Sequence, residues 1–252
     1  MADLQGSKAV VTGAGRGIGR AIALALARAG ADVALCARTT AEIERVADDV
    51  RALGRRALAV TADVGVEAAV TEMASRVTAD LGAVDILVNN AGAAESAPLA
   101  KTDASLWRRM MSANLDSVYL CTHAFLPGML SRGRGRVINV ASRAGLTGFA
   151  YVSAYCAAKH GVVGFTRAVA EEIAGKGVTI NALCPGYVDT GMTAVSAERV
   201  ARMTGVSIAD ARSTLAGFNP QGRLIEPEDV AAAALDLARP GGAGVNGQAI
   251  EL

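Results

Sequence analysis

Short, continuous apolar runs alternate along the chain with longer stretches in which apolar residues recur at helical spacing. The apolar runs predict strands. They cover residues 8–12, 32–37, 57–61, 85–89, 136–140, 178–184 and 248–252. The helical spacing predicts helices over residues 18–29, 40–53, 66–81, about 103–130, 153–174 and 226–237. This alternation indicates parallel strands that are joined by crossover helices.

The predicted strands are apolar along their whole length, which indicates that both faces of the sheet are covered. The sequence therefore predicts an α/β fold, a single doubly wound (Rossmann-type) domain over 1–252 with a mostly parallel seven-stranded sheet and helices on both faces. The chain contains no linker, repeat or low-complexity segment. Residues 189–217 are predicted to form a helical insertion beside a substrate site, with a second helix starting at Ser207 and Asp210.

Two local signals mark the ends of the helix predicted over 40–53. Thr39 and Glu42 have the spacing of a capping box, in which each side chain bonds a backbone N–H of the first turn. Gly54 follows the last helical residue and is expected to take the left-handed conformation that ends many helices.

Composition and charge narrow the possible partners. Apolar residues make up 52% of the chain, charged residues 19%, and the formal net charge is +1. This balance gives no reason to expect a nucleic acid or an anionic membrane as partner. No run of about 18 apolar residues and no secretory pattern occur, so we expect a cytoplasmic protein without a membrane span.

Metal binding is not predicted, because the chain has only two histidines, which lie far apart, and no CxxC pair. The histidines are His123 and His160. Reduced and mostly buried thiols are expected instead at Cys36, Cys121, Cys156 and Cys184.

A glycine-rich turn lies between the first predicted strand and the first predicted helix. Gly13, Gly17 and Gly19 follow the spacing G-x-x-x-G-x-G rather than G-x-G-x-x-G. Glycines allow the backbone to approach a pyrophosphate closely, and the helix that starts at Ile18 offers free N–H groups to it. The turn is therefore a candidate dinucleotide site, although a tight loop without a ligand would have the same composition.

Tyr155 and Lys159 are four residues apart on one face of a predicted helix. A free tyrosine has a pKa of about 10, too high for a base at neutral pH. A nearby ammonium, helped by an oxidised nicotinamide, is predicted to lower the pKa of Tyr155 by roughly 3 units, so that it can give or take a proton. The alternative is an ordinary pair on a helix surface.

Further residues stand in a fixed order around these two motifs. Asp63 and Val64 follow the third strand, 89–92 (Asn-Asn-Ala-Gly) end the fourth, and Ser142 lies thirteen residues before Tyr155. On these motifs the chain resembles the short-chain dehydrogenase/reductase family over nearly its whole length, from Gly6 to Gln248. The resemblance implies an enzyme that moves a hydride between a nicotinamide cofactor and a carbonyl or secondary alcohol.

The resemblance also assigns roles to individual residues. It implies that Ser142 holds the substrate oxygen and that Asn114 binds a water that links Lys159 to solvent. The implied catalytic residues are Asn114, Ser142, Tyr155 and Lys159. The implied cofactor contacts are Gly13, Arg16, Gly17, Ile18, Gly19, Arg38, Thr39, Asp63, Val64, Asn90, Ala91, Gly92, Tyr155, Lys159, Pro185, Gly186, Val188 and Thr190.

Within that set, the resemblance places Asp63 and Val64 at the adenine and the backbone of Ala91 and Gly92 along the cofactor. It places the Val188 backbone and the Thr190 hydroxyl at the nicotinamide carboxamide. Asn89 is expected to steady the central strand.

The end of the second predicted strand favours NADP(H) over NAD(H). Enzymes that bind NAD usually place an acid there for the ribose hydroxyls, and this chain has Ala37. Arg38 and Arg16 suit a 2′-phosphate, and Thr39 adds a hydroxyl. The alternative is that both arginines are solvated surface charges.

The expected substrate is a small molecule with a ketone or secondary alcohol. Residues 142–161 resemble 3-hydroxybutyrate dehydrogenases, but Ala144 and Val152 stand where those enzymes have the His and Lys that hold a carboxylate. This favours a 3-oxoacyl thioester such as 3-oxoacyl-CoA or 3-oxoacyl-ACP. The segment 241–252 resembles polyketide ketoreductases, which makes a cyclic or aromatic ketone the alternative. Many relatives have Asp-Gly-Gly after the last strand, and this segment does not. The sequence therefore does not predict how the C-terminal segment closes the substrate site.

The expected pocket is mostly apolar. Its predicted members are Ala94, Arg143, Ala144, Leu146, Phe149, Tyr151, Val152, Tyr187 and Met192. A lyase or a non-catalytic NADP-binding protein on the same fold is less favoured, because Lys159, Tyr155 and the glycine turn are all present. By resemblance, a homotetramer forms through apolar faces of the helices predicted at 103–130 and 153–174.

Overall fold

A seven-stranded sheet runs through the middle of the protein. The structure is a computed structural model and describes residues 3–252. Its strands are β1 (Lys8–Thr12), β2 (Asp32–Ala37), β3 (Ala57–Thr61), β4 (Ile86–Asn89), β5 (Gly135–Val140), β6 (Val178–Cys184) and β7 (Ala249–Glu251). They are ordered β3-β2-β1-β4-β5-β6-β7, and every neighbouring pair is parallel. The predicted doubly wound fold is confirmed. Met1 and Ala2 lie outside the described residues. The predicted domain and the expectation of no secretory pattern both include these two residues.

Helices cover both faces of this sheet. They are α1 (Gly17–Arg28), α2 (Thr40–Ala52), α3 (Glu67–Asp80), α4 (Ala104–Met111), α5 (Ser117–Ser131), α6 (Ser153–Glu172), α7 (Gly191–Thr204), α8 (Ile208–Gly217) and α9 (Pro227–Ala238). Helices α1, α2 and α9 pack in the apolar cluster on one face, and α3, α5 and α6 in the cluster on the other. Because both faces are buried, the strands need no polar alternation, which explains the pattern in the sequence.

The helix predicted over 103–130 is present as an unbroken helical stretch over residues 104–131, but it is not α-helical throughout. A π-helical turn at Ser112–Asp116 separates α4 from α5. Asn114 lies in this turn, with its amide bonded to the backbone of Ala93 in another loop. A π-turn inserts an extra residue into a helix and is frequent at functional sites. Here it turns a polar side chain toward the ends of the central strands.

The predicted capping box at Thr39 and Glu42 is wrong. Thr39 precedes α2, but neither side chain caps the helix. The Glu42 carboxylate instead lies 3.7 Å from the Arg16 guanidinium, so its attraction to a charge in the glycine turn replaces the local bond. Gly54 has φ of +75°, as predicted for the residue that ends α2.

The insertion predicted over 189–217 contains the two helices α7 and α8. The Ser207 hydroxyl accepts a hydrogen bond from the Asp210 N–H, which confirms the predicted second helix start. Ala197, Ala211 and Leu215 form a small apolar cluster of their own between the two helices. The insertion is thus held together by its own contacts, apart from the two large clusters of the sheet.

Two further observations concern ligands and membranes. All four cysteines are free and buried, as predicted. Across residues 3–252, no helix has the length and apolar content needed to cross a bilayer. The same residues contain no grouping of three or more potential metal-ligating side chains.

Candidate active site

The predicted site residues meet at one edge of the sheet, where the parallel strands have their carboxyl ends. The glycine turn follows β1, Asn90 follows β4, Ser142 follows β5 and Pro185 follows β6. Doubly wound sheets bind ligands at this edge, close to the point where the strand order reverses between β1 and β4. The fold therefore brings together residues that are more than 170 positions apart in the sequence.

The glycine turn is packed too tightly for side chains. Gly13 has φ of +63°, and a Cβ on it would lie 2.9 Å from the Ala91 Cα atom. A Cβ on Gly19 would lie 2.2 Å from the Gly13 carbonyl oxygen. No side chain caps the start of α1, so its first N–H groups are free of side-chain acceptors. These features fit a bound diphosphate, which needs close backbone approach and free N–H donors.

Thr12 and Asn90 hold the turn in place. The Thr12 hydroxyl accepts hydrogen bonds from the N–H groups of Asn90 and Ala91, each at 3.0 Å. The Asn90 side chain donates back to the Thr12 and Gly13 carbonyls, at 2.9 and 3.2 Å. The Asn90 amide therefore shapes the turn itself. The sequence analysis did not predict this role for Thr12, although a threonine directly before a glycine turn was the available signal.

The region expected to face the ribose carries exposed cations. Arg38 is exposed and makes no ion pair with any residue of 3–252. The Arg16 side chain is 81% exposed and has only the 3.7 Å contact with Glu42. Thr39 is exposed and its side chain does not cap α2. Arg38 is therefore free to bind an anion, whereas Glu42 partly offsets the charge of Arg16.

The two residues expected at the adenine differ in exposure. Asp63 is exposed and its Oδ1 atom accepts a hydrogen bond from the Gly65 N–H at 3.0 Å. Val64 is buried in the apolar cluster below α3. Burial raises the pKa of the neighbouring Cys36 to about 12, and the nearby Asp63 carboxylate raises it further. Cys36 is therefore a neutral thiol that supports the strand.

Lys159 is buried beneath the site and bonded to the sheet. Its Nζ atom donates to the Val140 carbonyl at 2.8 Å and lies 5.7 Å from the centre of the Tyr155 ring. Burial lowers the pKa of Lys159 to about 8, because the charged ammonium loses its hydration. The predicted proximity of Tyr155 and Lys159 is confirmed.

The acidity of Tyr155 depends on its burial. Without a cofactor, burial raises the pKa of Tyr155 to about 12, and the Ser142 side chain, which lowers it, offsets only part of that rise. The predicted depression, which includes the charge of an oxidised nicotinamide, stays a prediction.

Asn114 is fully buried and lies beside Lys159. Its amide donates to the Ala93 and Met110 carbonyls, at 2.8 and 3.0 Å. A Cβ on Gly92 would lie 2.7 Å from Asn114 Oδ1 and 3.8 Å from Lys159 Nζ. Only glycine fits between these two polar groups. The position of Asn114 next to Lys159 agrees with its predicted place in the site.

A row of buried polar side chains supports the central strands below the site. Asn89 donates to Thr122 and Asn139, at 3.0 and 2.9 Å, and Asn139 donates to Thr166 at 2.9 Å. The row ties β4 to β5 and both strands to α5 and α6. Asn89 thus steadies the central strand, as the resemblance implied. Asn139 and Thr166 were not identified from the sequence, because nothing local distinguishes them from other polar core residues.

The segment after β6 presents free backbone donors next to the glycine turn. A Cβ on Gly17 would lie 3.1 Å from Thr190 Cγ2, so this segment contacts the turn directly. The Val188 carbonyl accepts from the Thr193 hydroxyl at 2.6 Å, and the Val188 N–H donates to no residue of 3–252. The Thr190 hydroxyl makes only a long contact, 3.5 Å, with the same carbonyl. These groups are available for an amide ligand.

Three aromatic rings line the side of the site that faces the insertion. Tyr187 and Phe218 have ring centres 6.0 Å apart, and Phe149 meets Phe218 edge-on at 6.4 Å. Tyr187 is close enough to Tyr155 to raise its pKa slightly. The other predicted pocket residues differ in exposure: Ala94, Leu146, Tyr151 and Met192 are exposed, Arg143 and Val152 are half-buried, and Ala144 is buried. The aromatic wall (Phe149, Tyr187 and Phe218) is thus the apolar surface nearest the candidate proton donor.

Comparison with known proteins agrees with this geometry. The chain matches the family described as short chain dehydrogenase over residues 7–201. It is 38% identical over 251 residues to a 3-oxoacyl-acyl-carrier-protein reductase of Vibrio cholerae, with 99% of this chain and 97% of that protein covered. It is 43% identical over 235 residues to a cis-4-hydroxycyclohexanecarboxylate dehydrogenase of Sinomonas cyclohexanicum, with 91% and 88% covered.

A solved structure also aligns over the whole chain. It is a variant of actinorhodin polyketide ketoreductase with NADPH, with a TM-score of 0.94, 37% identity, and coverage of 100% of this chain and 97% of that one. The family resemblance inferred from the motifs is therefore confirmed. The chain belongs to the short chain dehydrogenase family and is an oxidoreductase that acts on CH–OH and C=O groups.

Proposed function

We propose that this protein uses NADPH to reduce a ketone to a secondary alcohol. The observation that carries the proposal is the meeting of Tyr155, Lys159 and Ser142 beside the glycine turn, at one edge of the sheet. A proton donor, a buried cation and a hydroxyl lie there next to a cradle that fits a diphosphate. When bound, the cofactor supplies a hydride.

Each residue has a role that follows from its surroundings. Tyr155, whose pKa is raised to about 12, keeps its proton and gives it to the substrate oxygen as negative charge develops there. The Ser142 hydroxyl holds that oxygen. Lys159 places a positive charge beneath Tyr155, and Asn114, next to Lys159, holds a water that connects it with solvent.

The cofactor contacts are proposed as the sequence assigned them. Gly13, Gly17, Ile18 and Gly19 hold the diphosphate at the start of α1. Ala91, Gly92 and the segment from Pro185 to Thr190 border the nicotinamide, where the free Val188 N–H meets its carboxamide. Asp63 and Val64 border the adenine.

NADP(H) is proposed as the preferred cofactor. Arg38 is exposed and has no ion-pair partner in residues 3–252, so it can bind a 2′-phosphate without losing an existing contact. Ala37 offers no carboxylate to the ribose hydroxyls of NAD. The Glu42 carboxylate repels a phosphate near Arg16, so Arg38 is expected to contribute more than Arg16 to the selection of NADPH.

A 3-oxoacyl thioester is the first candidate substrate. Ala144 and Val152 provide no charged group for a free carboxylate, which favours an ester-linked acid over a small free acid. The Vibrio cholerae relative is named as a reductase of 3-oxoacyl groups on the acyl carrier protein, and the similarity to it supports this class.

A cyclic ketone is the second candidate, and the aromatic wall favours it. Rings stack with other rings in offset or edge-on arrangements worth about 0.5–1.5 kcal/mol beyond simple burial. Phe218 is 51% exposed, so one side of its ring is free to meet a planar substrate. The relative from Sinomonas cyclohexanicum is named for a cyclic alcohol, cis-4-hydroxycyclohexanecarboxylate.

NADPH oxidation, followed by absorbance with matched substrates, tests the proposal. Acetoacetyl thioesters and bicyclic ketones are compared in wild type and in Phe218→Leu, with Tyr155→Phe as the inactive control. If Phe218→Leu loses activity on the bicyclic ketone alone, the substrate belongs to the cyclic class. If it retains activity on both substrates equally, the thioester is favoured. Failure of the wild-type enzyme to oxidise NADPH with any ketone would refute the proposed reduction and leave the lyase and the non-catalytic protein as alternatives.

We also propose that the protein is cytoplasmic and forms a homotetramer. Trp107 on α4 and Tyr119 on α5 are 44% and 48% exposed, which is unusual for large apolar side chains. Tyr119 packs edge-on against Phe165 of α6, so the exposed surface is continuous between the two helices. Sedimentation at micromolar concentration tests the assembly, and a single monomeric species would contradict it.

A further inference from the structure

Arg143 joins the candidate substrate site to the last strand of the sheet. It directly follows Ser142, and its Nε atom lies 2.6 Å from Glu251 Oε1 in β7. Its Nη1 atom donates to the Phe218 carbonyl at the end of α8. The Arg143 side chain is 21% exposed and that of Glu251 is 50% exposed. One guanidinium therefore contacts both the last strand and the end of α8.

The backbone of Arg143 fixes a third segment. Its N–H donates to the Pro185 carbonyl at 2.9 Å, which ties the Ser142 loop to the segment after β6. Gly186 follows, and a Cβ there would lie 3.3 Å from Arg143 Cδ and 2.1 Å from Asn219 Oδ1. Asn219 Oδ1 accepts the Tyr187 N–H at 2.8 Å. Arg143 is thus packed against the segment that carries Tyr187.

We propose that Arg143 and Glu251 form a positioning pair that sets the distance between Ser142 and the aromatic ring of Phe218. The main chain of Arg143 fixes the Ser142 loop, and its side chain fixes the end of α8. Glu251 holds the guanidinium in the orientation that reaches the Phe218 carbonyl. The pair thereby determines how a ketone is held between the hydroxyl of Ser142 and the aromatic wall.

Arginine suits this position because its planar guanidinium can lie against the Glu251 carboxylate and donate to the Phe218 carbonyl at the same time. A lysine is a single point charge on a flexible stem and cannot hold Glu251 and the Phe218 carbonyl together. The carboxylate also neutralises the cation, so Arg143 is not available to bind an acidic substrate. Glu251 is half exposed, so solvent screens part of the attraction, and variants that keep the bulk of both side chains are expected to change catalysis more than unfolding.

The test rests on the proposed ketone reduction and begins with a wild-type enzyme that is active. Steady-state kinetics with one ketone, the KM for NADPH and the melting temperature are measured for Arg143→Lys, Glu251→Gln and the exchanged pair Arg143→Glu with Glu251→Arg. Arg76→Gln, which removes an exposed ion pair on the outer helix α3, is the matched control. A wild type with no ketone reduction would refute the proposed function before the pair is tested.

We expect Arg143→Lys and Glu251→Gln each to lower kcat/KM for the ketone about tenfold, which corresponds to about 1.4 kcal/mol. The KM for NADPH and the melting temperature should stay as in the control. The exchanged pair should recover none of the loss, because the opposite charges meet again but a glutamate at position 143 has no donor for the Phe218 carbonyl.

Three results would overturn the inference. The first is a kcat/KM for the ketone within twofold of wild type in both single variants. The second is a loss that the KM for NADPH or the melting temperature shares, which would make the pair a general structural contact. The third is a Glu251→Gln enzyme that gains activity on acidic ketones, which would make Arg143 a substrate-binding cation that Glu251 masks.

Discussion

The two halves of the site are built in different ways. Around the glycine turn, between β1 and β4, backbone atoms approach closely at Gly13 and Gly19, and the short side chains of Thr12 and Asn90 hold them there. Around the substrate side, beyond β5 and β6, it is set by side chains that bridge separate segments, as Arg143 and Asn219 do. The first half leaves no room for variation, whereas the second can change with a single side chain.

The difference extends to packing. The glycine turn lies over the large apolar clusters of the sheet. The insertion formed by α7 and α8 has a cluster of three buried residues, and several of its apolar side chains, such as Val195 and Met203, are more than 60% exposed. Segments with few buried contacts open at lower free energy than the core. A rigid cofactor half and an adaptable substrate half explain how one family serves many ketones.

The largest expected effect comes from Tyr155, at which the two halves meet. Tyr155→Phe should keep the fold and NADPH binding but lower kcat by roughly 10²- to 10⁴-fold, because the phenol is the proposed proton donor. Steady-state kinetics and NADPH fluorescence measure both. A kcat within tenfold of wild type would refute this role.

Cofactor choice tests whether the cofactor half discriminates by charge as well as by backbone shape. Arg38→Ala should raise the KM for NADPH by roughly 10- to 150-fold and leave that for NADH nearly unchanged, because a charge-assisted hydrogen bond is worth about 1.5–3 kcal/mol. Arg16→Ala should act in the same direction but more weakly, since Glu42 already offsets its charge.

Ala37→Asp should sharpen the same comparison, because it repels a 2′-phosphate and offers an acceptor to the ribose hydroxyls of NADH. Kinetics with both cofactors provide the measurement. A wild-type enzyme with a higher kcat/KM for NADH, or an Arg38→Ala enzyme that loses both cofactors equally, would show that Arg38 does not select the phosphate.

The rigidity of the cofactor half is tested by adding a methyl group. Gly19→Ala places a Cβ against the Gly13 carbonyl and should destabilise the protein by about 1–3 kcal/mol and weaken NADPH binding. Gly164→Ala, on α6 with open space around it, is the matched control and should be neutral or stabilising. Urea unfolding and NADPH titration distinguish them, and equal effects of the two variants would contradict the proposed tight approach.

The last prediction is a pH dependence of the rate, which tests the charge beneath Tyr155. Burial lowers the pKa of Lys159 to about 8, so its charge is present below that pH and is lost above it. The rate of ketone reduction at saturating NADPH should therefore fall above about pH 8, by about tenfold per unit. Tyr155, with its pKa raised to about 12, stays protonated over the same range. A rate that stays constant to pH 10 would show that the Lys159 charge is not needed.

The sequence by itself determined the fold class and the order of the site residues. Uniformly apolar strands can only be covered on both faces, and the spacing of Tyr155 and Lys159 places them on one face of any helix. Gly54 and Ser207 also act where the sequence predicted, because capping depends on the residue and its immediate neighbours.

Only the tertiary structure decided the features that depend on contacts between distant segments. The π-turn at Asn114 arises from bonds to the Ala93 loop, and Glu42 leaves its predicted cap for Arg16. Desolvation inside the folded site raises the pKa of Tyr155 in the absence of a cofactor, and the pair of Arg143 with Glu251 joins residues 108 positions apart. Local patterns cannot encode such effects, because burial and long-range contact exist only once the chain has folded.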